Sequence, residues 1–280
     1  MLILMCRPKY FDVPVAYQEK NPWMDVRRPP NPKRAMTQWK ELRNFYRSFL
    51  RVKEIQPRRG LFDQVFTANI AWGMGNAFIM ANLAPPERRA EIKYAAHWFV
   101  DNRYSVHFLP PNLGFEGQGD IVNVGKCLFF CYGGRNTLDS KEYIEKVFRL
   151  KKQLVPLRLV DPRFYHGDMC IRYSRSRNTI LYIPAAFDKD SLRIIEQLKI
   201  KKMEAPPELW VQETEYGRNF PMNGCYLDSV ETFPWDEGLG EFPRAIRRWV
   251  EDGGGTLWLH NFDQFGLSGA GHRCVTLFLN

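Results

Sequence analysis

A thiol, an imidazole and several carboxylates sit in polar breaks of an otherwise apolar chain. Cys274 ends "GAGHRC", between glycines and a final apolar run. A late cysteine of this kind could be core filler, a disulfide partner, a metal ligand or a nucleophile. His166 and Asp168, in "FYHGDMCI" (164–171), lie two apart at the head of an expected strand and would point to one face. They suit an imidazole beside a carboxylate aimed at one ligand, or a turn histidine beside a solvated aspartate. "LGFEGQGDIVNV" (113–124) carries Glu116 and Asp120 among glycines that permit a tight turn or a close backbone approach to a ligand. It lacks the Lys-Ser/Thr ending of a triphosphate cradle, and its acids would repel phosphate. "LFDQVFTANIAW" (61–72) interrupts an apolar strand with Thr67, Ala68 and Asn69, and Asn21 precedes a proline in "YQEKNPWMD" (17–25), a turn signal in its own right. Thiol, imidazole and carboxylate together are the set that covalent catalysis needs. A thiol with an ordinary pKa of about 8.5 is mostly protonated at neutral pH, so a nucleophilic cysteine requires a base or a cation beside it, and a bound cation could be that neighbour.

The elements that must position these groups alternate from end to end. "MLILMC" (1–6) reads as a first strand. The pattern then predicts paired strands at 65–74 and 77–80, a helix over 85–102 with proline at its start and Ile92, Ala95, Ala96 and Phe99 on one stripe, and a strand at 106–110. The order recurs with strands 120–124 and 127–132, a helix over 140–154 and a strand at 155–160. It recurs again with strands 168–173 and 179–183, a helix over 189–200 and a strand at 209–212. Late in the chain, "EFPRAIRRWVEDGGG" (241–255) reads as a helix closed by glycines, followed by "TLWLH" (256–260) and a terminal strand. Strand-strand-helix-strand units of roughly 50 to 60 residues fit an α/β repeat architecture better than one open parallel sheet.

Composition narrows the class. At 280 residues, 45% hydrophobic and 14% aromatic, the chain can bury a sizeable core as one large domain or two small ones. No stretch approaches the roughly 18 uncharged apolar residues of a membrane helix. The apolar opening lacks a signal-peptide cleavage site, and a soluble cytoplasmic protein without a membrane partner is expected. Six scattered cysteines fit reduced thiols better than a disulfide framework. Cys127 and Cys131, four apart with no histidine nearby, read as strand core and not as zinc ligands. Lys and Arg outnumber Asp and Glu by 14 to 5 in residues 1–60, so the whole net charge of +9 lies there. "RRPPNPKR" (27–34) could meet nucleic acid, anionic lipid or a partner protein; with no nucleic-acid module or interleaved aromatics it reads as a solvated loop.

"MCRPKYFDVP…NPWMD", "FTAN", "PPERRAE", "FEGQGD", "YHGDMC" and "GAGHRCVTL", in this order from about residue 3 to 279, resemble the guanidine-modifying (pentein) superfamily. They resemble most closely its branch of arginine dihydrolases and dimethylarginine dimethylaminohydrolase-like proteins. The resemblance implies one catalytic domain over 1–280, a five-bladed α/β propeller with its site in a polar central channel. It implies hydrolysis of the guanidino group of arginine to ornithine, ammonia and carbon dioxide through a covalent Cys-guanidino intermediate. On that reading Cys274 is the nucleophile, His166 the general acid and base, and Glu116 its orienting partner. Asp168 would hold the guanidinium, with Asp120 a second acid in the same wall. Asn21 and Asn69, amides able to hold both a charged guanidinium and a neutral ureido product, would permit a second hydrolysis. Arg88, and less directly Arg135, would bind the substrate's α-carboxylate. This chemistry requires neither metal nor organic cofactor; the expected partner is a small guanidino compound, and a homo-oligomer is allowed. Hydrolysis of N-methylated arginine, deimination to citrulline, amidino transfer and an inactive propeller serving as a binding module are the alternatives. Departures from the family pattern bear on the substrate: Trp72 in "IAWGMG" would stand close to the pocket, Gln118 replaces a common glutamate, Gly167 a common leucine, and His272 could tune the thiol, line the entrance or do neither.

Overall fold

A strand can follow its antiparallel neighbour through a tight turn, but a parallel partner requires a crossover long enough for a helix. Four of the five three-stranded sheets use both connections, and the first uses only the crossover. The computed structural model describes residues 1–15, 21–125, 127–151, 154–175, 177–227 and 229–279. Strand β1 (Leu2–Cys6), helix α1 (Pro32–Arg47) and strand β2 (Arg51–Ile55) form the first unit, with β1 and β2 parallel. The second is β3 (Ala71–Met74), β4 (Ala77–Met80), α2 (Arg89–Asp101) and β5 (Ser105–Phe108). The third is β6 (Ile121–Val124), β7 (Cys127–Tyr132), α3 (Asp139–Phe148) and β8 (Val155–Arg158). The fourth is β9 (Ile171–Ser174), β10 (Thr179–Tyr182), α4 (Lys189–Gln197) and β11 (Lys201–Glu204). A two-stranded ribbon, β12 (Gln212–Glu213) with β13 (Arg218–Asn219), precedes the fifth unit of β14 (Tyr226–Leu227), β15 (Val230–Pro234), α5 (Arg244–Glu251) and β16 (Thr256–His260). Strand β17 (Leu277–Phe278) pairs antiparallel with β1, Ile3 opposite Phe278, and so completes the first sheet from the far end of the chain.

The five sheets share one order, with a central strand antiparallel to one neighbour and parallel to the other. The α/β repeat expected from the alternation is therefore present. Helix α2 buries the predicted stripe of Ile92, Ala95, Ala96 and Phe99, and Phe99 meets Phe78 of β4 at 4.8 Å between ring centroids. Burying such a phenyl ring contributes roughly 1.5–3 kcal/mol. Cys131 is fully buried and Cys127 half-buried within β7, as strand-core residues should be, and all six cysteines are unpaired. Among the described residues no helix is long and apolar enough to cross a membrane.

Four expectations need correction. Residues 65–70 lead into β3 as turns and are not part of its strand. The basic run 27–34 is not simply a loop: it contains the start of α1, where the Asn31 side chain accepts from the Lys33 and Arg34 amides at 3.0 and 3.1 Å and Pro32 opens the helix. Its buried face, Ala35, Trp39, Leu42 and Tyr46, is interleaved with the charges that hid it. The third strand of the fourth unit is Lys201–Glu204 and not 209–212; Leu209 lies in a short 3-10 turn. An edge strand is specified by its backbone pairing, here Thr179 opposite Lys201, and needs little apolar content. Helix α3 ends at Phe148 because Arg149 adopts the left-handed conformation at φ 47°, and residues 152 and 153 of the predicted helix lie outside those described.

Replacing Asn31 by alanine removes both bonds to the first-turn amides. The expected loss is about 1 kcal/mol, read as a lower denaturant midpoint at unchanged m-value. An unchanged midpoint would mean that packing alone holds α1.

Candidate active site

Five turns carry the polar side chains, each leading into a strand at one edge of a sheet. The 3-10 turn Thr67–Ile70 precedes β3, Gly117–Gly119 precedes β6 and Gly167–Met169 precedes β9; Asn223 lies just before β14 and Cys274 just before β17. The turns are joined in a circuit. Ala68 N donates to Cys274 O at 3.0 Å, Cys274 N to Asn223 Oδ1 at 3.1 Å, Asn223 Nδ2 to Asp168 O at 3.1 Å, and Gly167 N to Asp120 Oδ1 at 3.1 Å. The remaining junction is close packing: Gly117 sits at φ 66°, and a Cβ there would lie 2.6 Å from Ala68 O. Only glycine fits that place.

His166 and Asp168 thus belong to a turn and not to the strand that their spacing suggested. Two-residue alternation holds for extended backbone; a 3-10 turn sends such residues apart. His166 Nε2 meets Glu116 Oε2 at 2.7 Å and stands 3.7 Å from Asp120 Oδ2. Asp168 instead faces the thiol, with Cys274 Sγ donating to its Oδ2 at 3.9 Å. Glu116 is fully buried and also accepts from the Ala84 amide at 2.9 Å and from Arg135 Nη1 at 3.5 Å.

A narrow cleft gathers His166, Cys274, Asn21, Asn69, Arg88 and Arg135. Its volume of about 20 Å³ holds about one water as the side chains stand, so a ligand of amino-acid size requires movement at the rim. Asn69 Oδ1 accepts from Arg88 Nη1 at 3.4 Å, while Asn69 Nδ2 is buried without a hydrogen-bond partner among the described residues. The same holds for His166 Nδ1, Asp168 Oδ1, Asp120 Oδ2, Asp63 Oδ1 and Ser268 Oγ. Unpaired buried polar atoms each cost roughly 1–3 kcal/mol, a cost that a polar ligand can relieve. Asn21 is already committed: its Nδ2 donates to the Tyr165 hydroxyl at 3.1 Å and to Ser268 O at 3.0 Å. Arg88 is held by Glu91, with two bonds of 3.0 Å, and by Asp63 at 3.6 Å. The Arg135 guanidinium lies 4.8 Å from the centroid of the Tyr165 ring.

Burial dominates the electrostatics. It lifts the Asp120 carboxyl to about 8, helped by Glu116 and Asp168 against the pull of His166, and lifts Asp63 to about 7 despite Arg88. Glu116 goes the other way: the bond from His166 and the charge of Arg135 outweigh burial and hold it well below the usual carboxylate range. Burial opposes charge on His166, but Asp120 and Glu116 prevail and raise its pKa, so the imidazole stays protonated to higher pH than usual. Burial and then Asp168 push the Cys274 thiol well above its ordinary value. The site therefore favours the protonated form of both the imidazole and the thiol. A cation placed between Asp168 and Cys274 would reverse the second of these.

Two residues turn out to lie away from the cleft. Trp72 packs edge-on against Phe148 at 4.9 Å and lines a second cavity that shares no lining residue with the cleft. Strand β3 turns its side chains away as soon as the Asn69 turn ends. His272 is buried between Thr232 Oγ1 at 3.0 Å and His260 Nδ1 at 3.2 Å, and so contacts neither the thiol nor the entrance. Gln118 ties its loop to β17, donating to Phe278 O at 2.7 Å and accepting from Phe278 N at 3.0 Å. Sequence reasoning passed over Asp63, Tyr165, Ser268 and Asn223. Asp63 between aromatics and the Asn223-Gly224 turn were the available signals. Among the described residues no group of three or more His, Cys, Asp or Glu is arranged to hold a metal ion.

No family model matches the chain. It is 33% identical over 280 residues to the bifunctional arginine dihydrolase/ornithine cyclodeaminase ArgZ of Synechocystis sp., covering 98% of this chain and 37% of that protein. The chain thus spans little more than a third of the length of that curated relative. It is 37% identical over 186 residues to the N(G),N(G)-dimethylarginine dimethylaminohydrolase of Mycobacterium tuberculosis, covering 65% of this chain and 58% of that one. The N-terminal domain of ArgZ, solved with a covalently bound reaction intermediate, matches with a TM-score of 0.87 at 30% identity, over 100% of this chain and 97% of that one. With sequence and fold both alike over nearly that whole domain, the chain belongs to the guanidine-modifying, or pentein, superfamily.

Proposed function

We propose that this chain is a cysteine-dependent hydrolase that converts arginine and two waters to ornithine, two ammonia and carbon dioxide, as one catalytic domain in the cytoplasm. The five sheets are read as blades around a common axis, with the circuit of turns at its centre. The observation that carries the activity is the meeting of the Cys274 thiol with the Asp168 carboxylate and, at the same cleft, the imidazole of His166 held by Glu116. The N-terminal domain of ArgZ, named as an arginine dihydrolase, was solved with substrate and with product, which supports the same reading here.

Asp168 holds the guanidinium through charge-assisted hydrogen bonds, and the substrate's own charge lowers the pKa of the adjacent thiol. Cys274 Sγ, as thiolate, bonds to the guanidinium carbon. The bond from that carbon to a terminal nitrogen breaks, and ammonia leaves with a proton from the His166 imidazolium. Water then gives a proton to the neutral imidazole and adds to the same carbon. The carbon–sulfur bond breaks, leaving a thiolate and a ureido product whose excess proton passes to solvent. A second round at the ureido carbon releases the second ammonia, and the resulting carbamate loses carbon dioxide to give ornithine. Asn69, with a donor to spare, suits both the charged and the neutral ligand, and Arg88 or Arg135 receives the α-carboxylate. The similarity to a dimethylarginine dimethylaminohydrolase keeps N-methylated arginine as the rival substrate, separated by the same assay.

Cys274→Ser should lower arginine turnover by at least about a thousandfold while calorimetry still detects arginine binding; ammonia release at the original rate would remove the nucleophile assignment. Asn69→Asp favours the cation over the neutral ureido ligand, so chromatography should find citrulline as the end product, and ornithine alone would refute the role of the amide. Because the Cys274 pKa is raised in the free site, its thiolate absorbance should be missing at neutral pH, compared with Cys274→Ser, and should appear when an unreactive arginine analogue binds. A thiolate already present without ligand would contradict activation by substrate.

A further inference from the structure

Opposite the substrate cleft lies a second and far larger cavity, of about 820 Å³. Its wall takes one edge strand from every three-stranded sheet: Trp72 of β3, Val122 of β6, Ile171 of β9, Tyr226 of β14 and Phe278 of β17. It therefore runs along the line on which the five sheets converge. Polar groups belong to the same lining: Asp168, Gln118, Arg172 and Arg273. Asp168 is the decisive one. It is one of the residues of this lining, and its Oδ2 is 3.9 Å from the Sγ of Cys274, a residue of the cleft. Asp168 and Cys274 thus bring the two linings into contact.

The front cleft as it stands leaves little room for water. Its volume of about 20 Å³ is near the minimum for one water, and a substrate would occupy whatever opens there. Hydrolysis of a covalent intermediate nonetheless needs a fresh water at the carbon held on Cys274. We propose that this water enters from the opposite cavity, past Asp168, while the substrate's amino-acid end still closes the cleft. This rests on the hydrolytic reading given above. The polar groups around Asp168 offer hydrogen bonds to water, and the apolar strands around them give it no alternative resting place. The step is the second half of the reaction already described: water adds at the carbon as its proton passes to His166, and the carbon–sulfur bond breaks. The chain needs no opening and closing of the cleft between the two halves.

Val122 and Asn123 allow a test away from the catalytic groups. Val122 stands beside the Gly167 turn, its Cγ2 3.5 Å from where a Cβ on Gly167 would lie, and Asn123 is exposed at the rim. Val122→Phe fills the inner part of the cavity, Asn123→Trp its mouth, and Val122→Ala leaves it open. Turnover of arginine by the unaltered chain is measured first; its absence would overturn the hydrolytic reading and the route with it. With turnover present, the filled variants should release the first ammonia in a burst at an undiminished rate, and kcat and KM should then fall together by about tenfold. Intact-protein mass spectrometry should find the covalent adduct as the main species in the steady state. Val122→Ala should behave like the unaltered chain. Unchanged kcat and no added adduct in both filled variants would overturn the route alone, leaving the hydrolase assignment in place. Equal accumulation in Val122→Ala would also overturn it, since the effect would then come from disturbing β6.

Discussion

Three carboxylates buried around one imidazole and one thiol set the terms for the rest of the molecule. Glu116, Asp120 and Asp168 are each at most 5% exposed, and burying an uncompensated charge costs several kcal/mol. The protein meets that constraint unevenly. Glu116 keeps its charge because His166 and Arg135 face it, whereas Asp120 and Asp168 are lifted toward protonation by burial. The imidazole is thus fixed with its charged form favoured, and the thiol with its neutral form favoured. A ligand that carries a delocalised positive charge finds a carboxylate, Asp168, whose charged form it stabilises, and the thiol next to that carboxylate changes state with it. The strongly basic composition of the first 60 residues has no part in this balance; the acidity is local.

Holding such a cluster together falls to the turns. Each donor or acceptor in the circuit from Ala68 through Cys274, Asn223 and Asp168 to Gly167 and Asp120 belongs to a different sheet's approach or to its neighbour's. Asn223 spans two of the junctions: its side-chain carbonyl oxygen also accepts from Gly271 N at 2.9 Å, so a single side chain sets the distance between the Cys274 loop and the Asp168 turn. The sheets supply rigid stems and the helices cover them, but the geometry that matters chemically is set where no regular element exists.

What could be read in advance follows that division. Alternating apolar runs disclosed the strand-strand-helix-strand units, because burial of one face imposes its period on the residues, as the stripe of α2 illustrates. Helix α1 escaped notice because its apolar face is interrupted by arginines and lysines, although Asn31 and Pro32 announce its start. Strand β11 escaped because an edge strand of Lys, Lys, Met and Glu draws its order from β10 and not from its own side chains. Cys274, His166 and Glu116 were legible as a set through ordered motifs, and their convergence is a property of the fold. Asn223 and Asp63 were not, since a lone amide in a turn and a lone acid between aromatics carry no mark of their partners. The spacing of His166 and Asp168 misled for a local reason: the strand begins three residues later than the apolar pattern suggests.

The pairing of β17 with β1 joins the two most distant parts of the described chain in one sheet. During synthesis, His166, Glu116 and both acids emerge long before the thiol does, and β1 waits with an unfilled edge until the last strand arrives. Contacts of such sequence separation form late and slow folding. A growing chain can therefore hold four fully formed sheets before Cys274 is in place, and the thiol meets Asp168 only with the event that seals the first sheet. Topology in this way sets an order: the buried thiol is delivered with the strand that seals the sheet beside it.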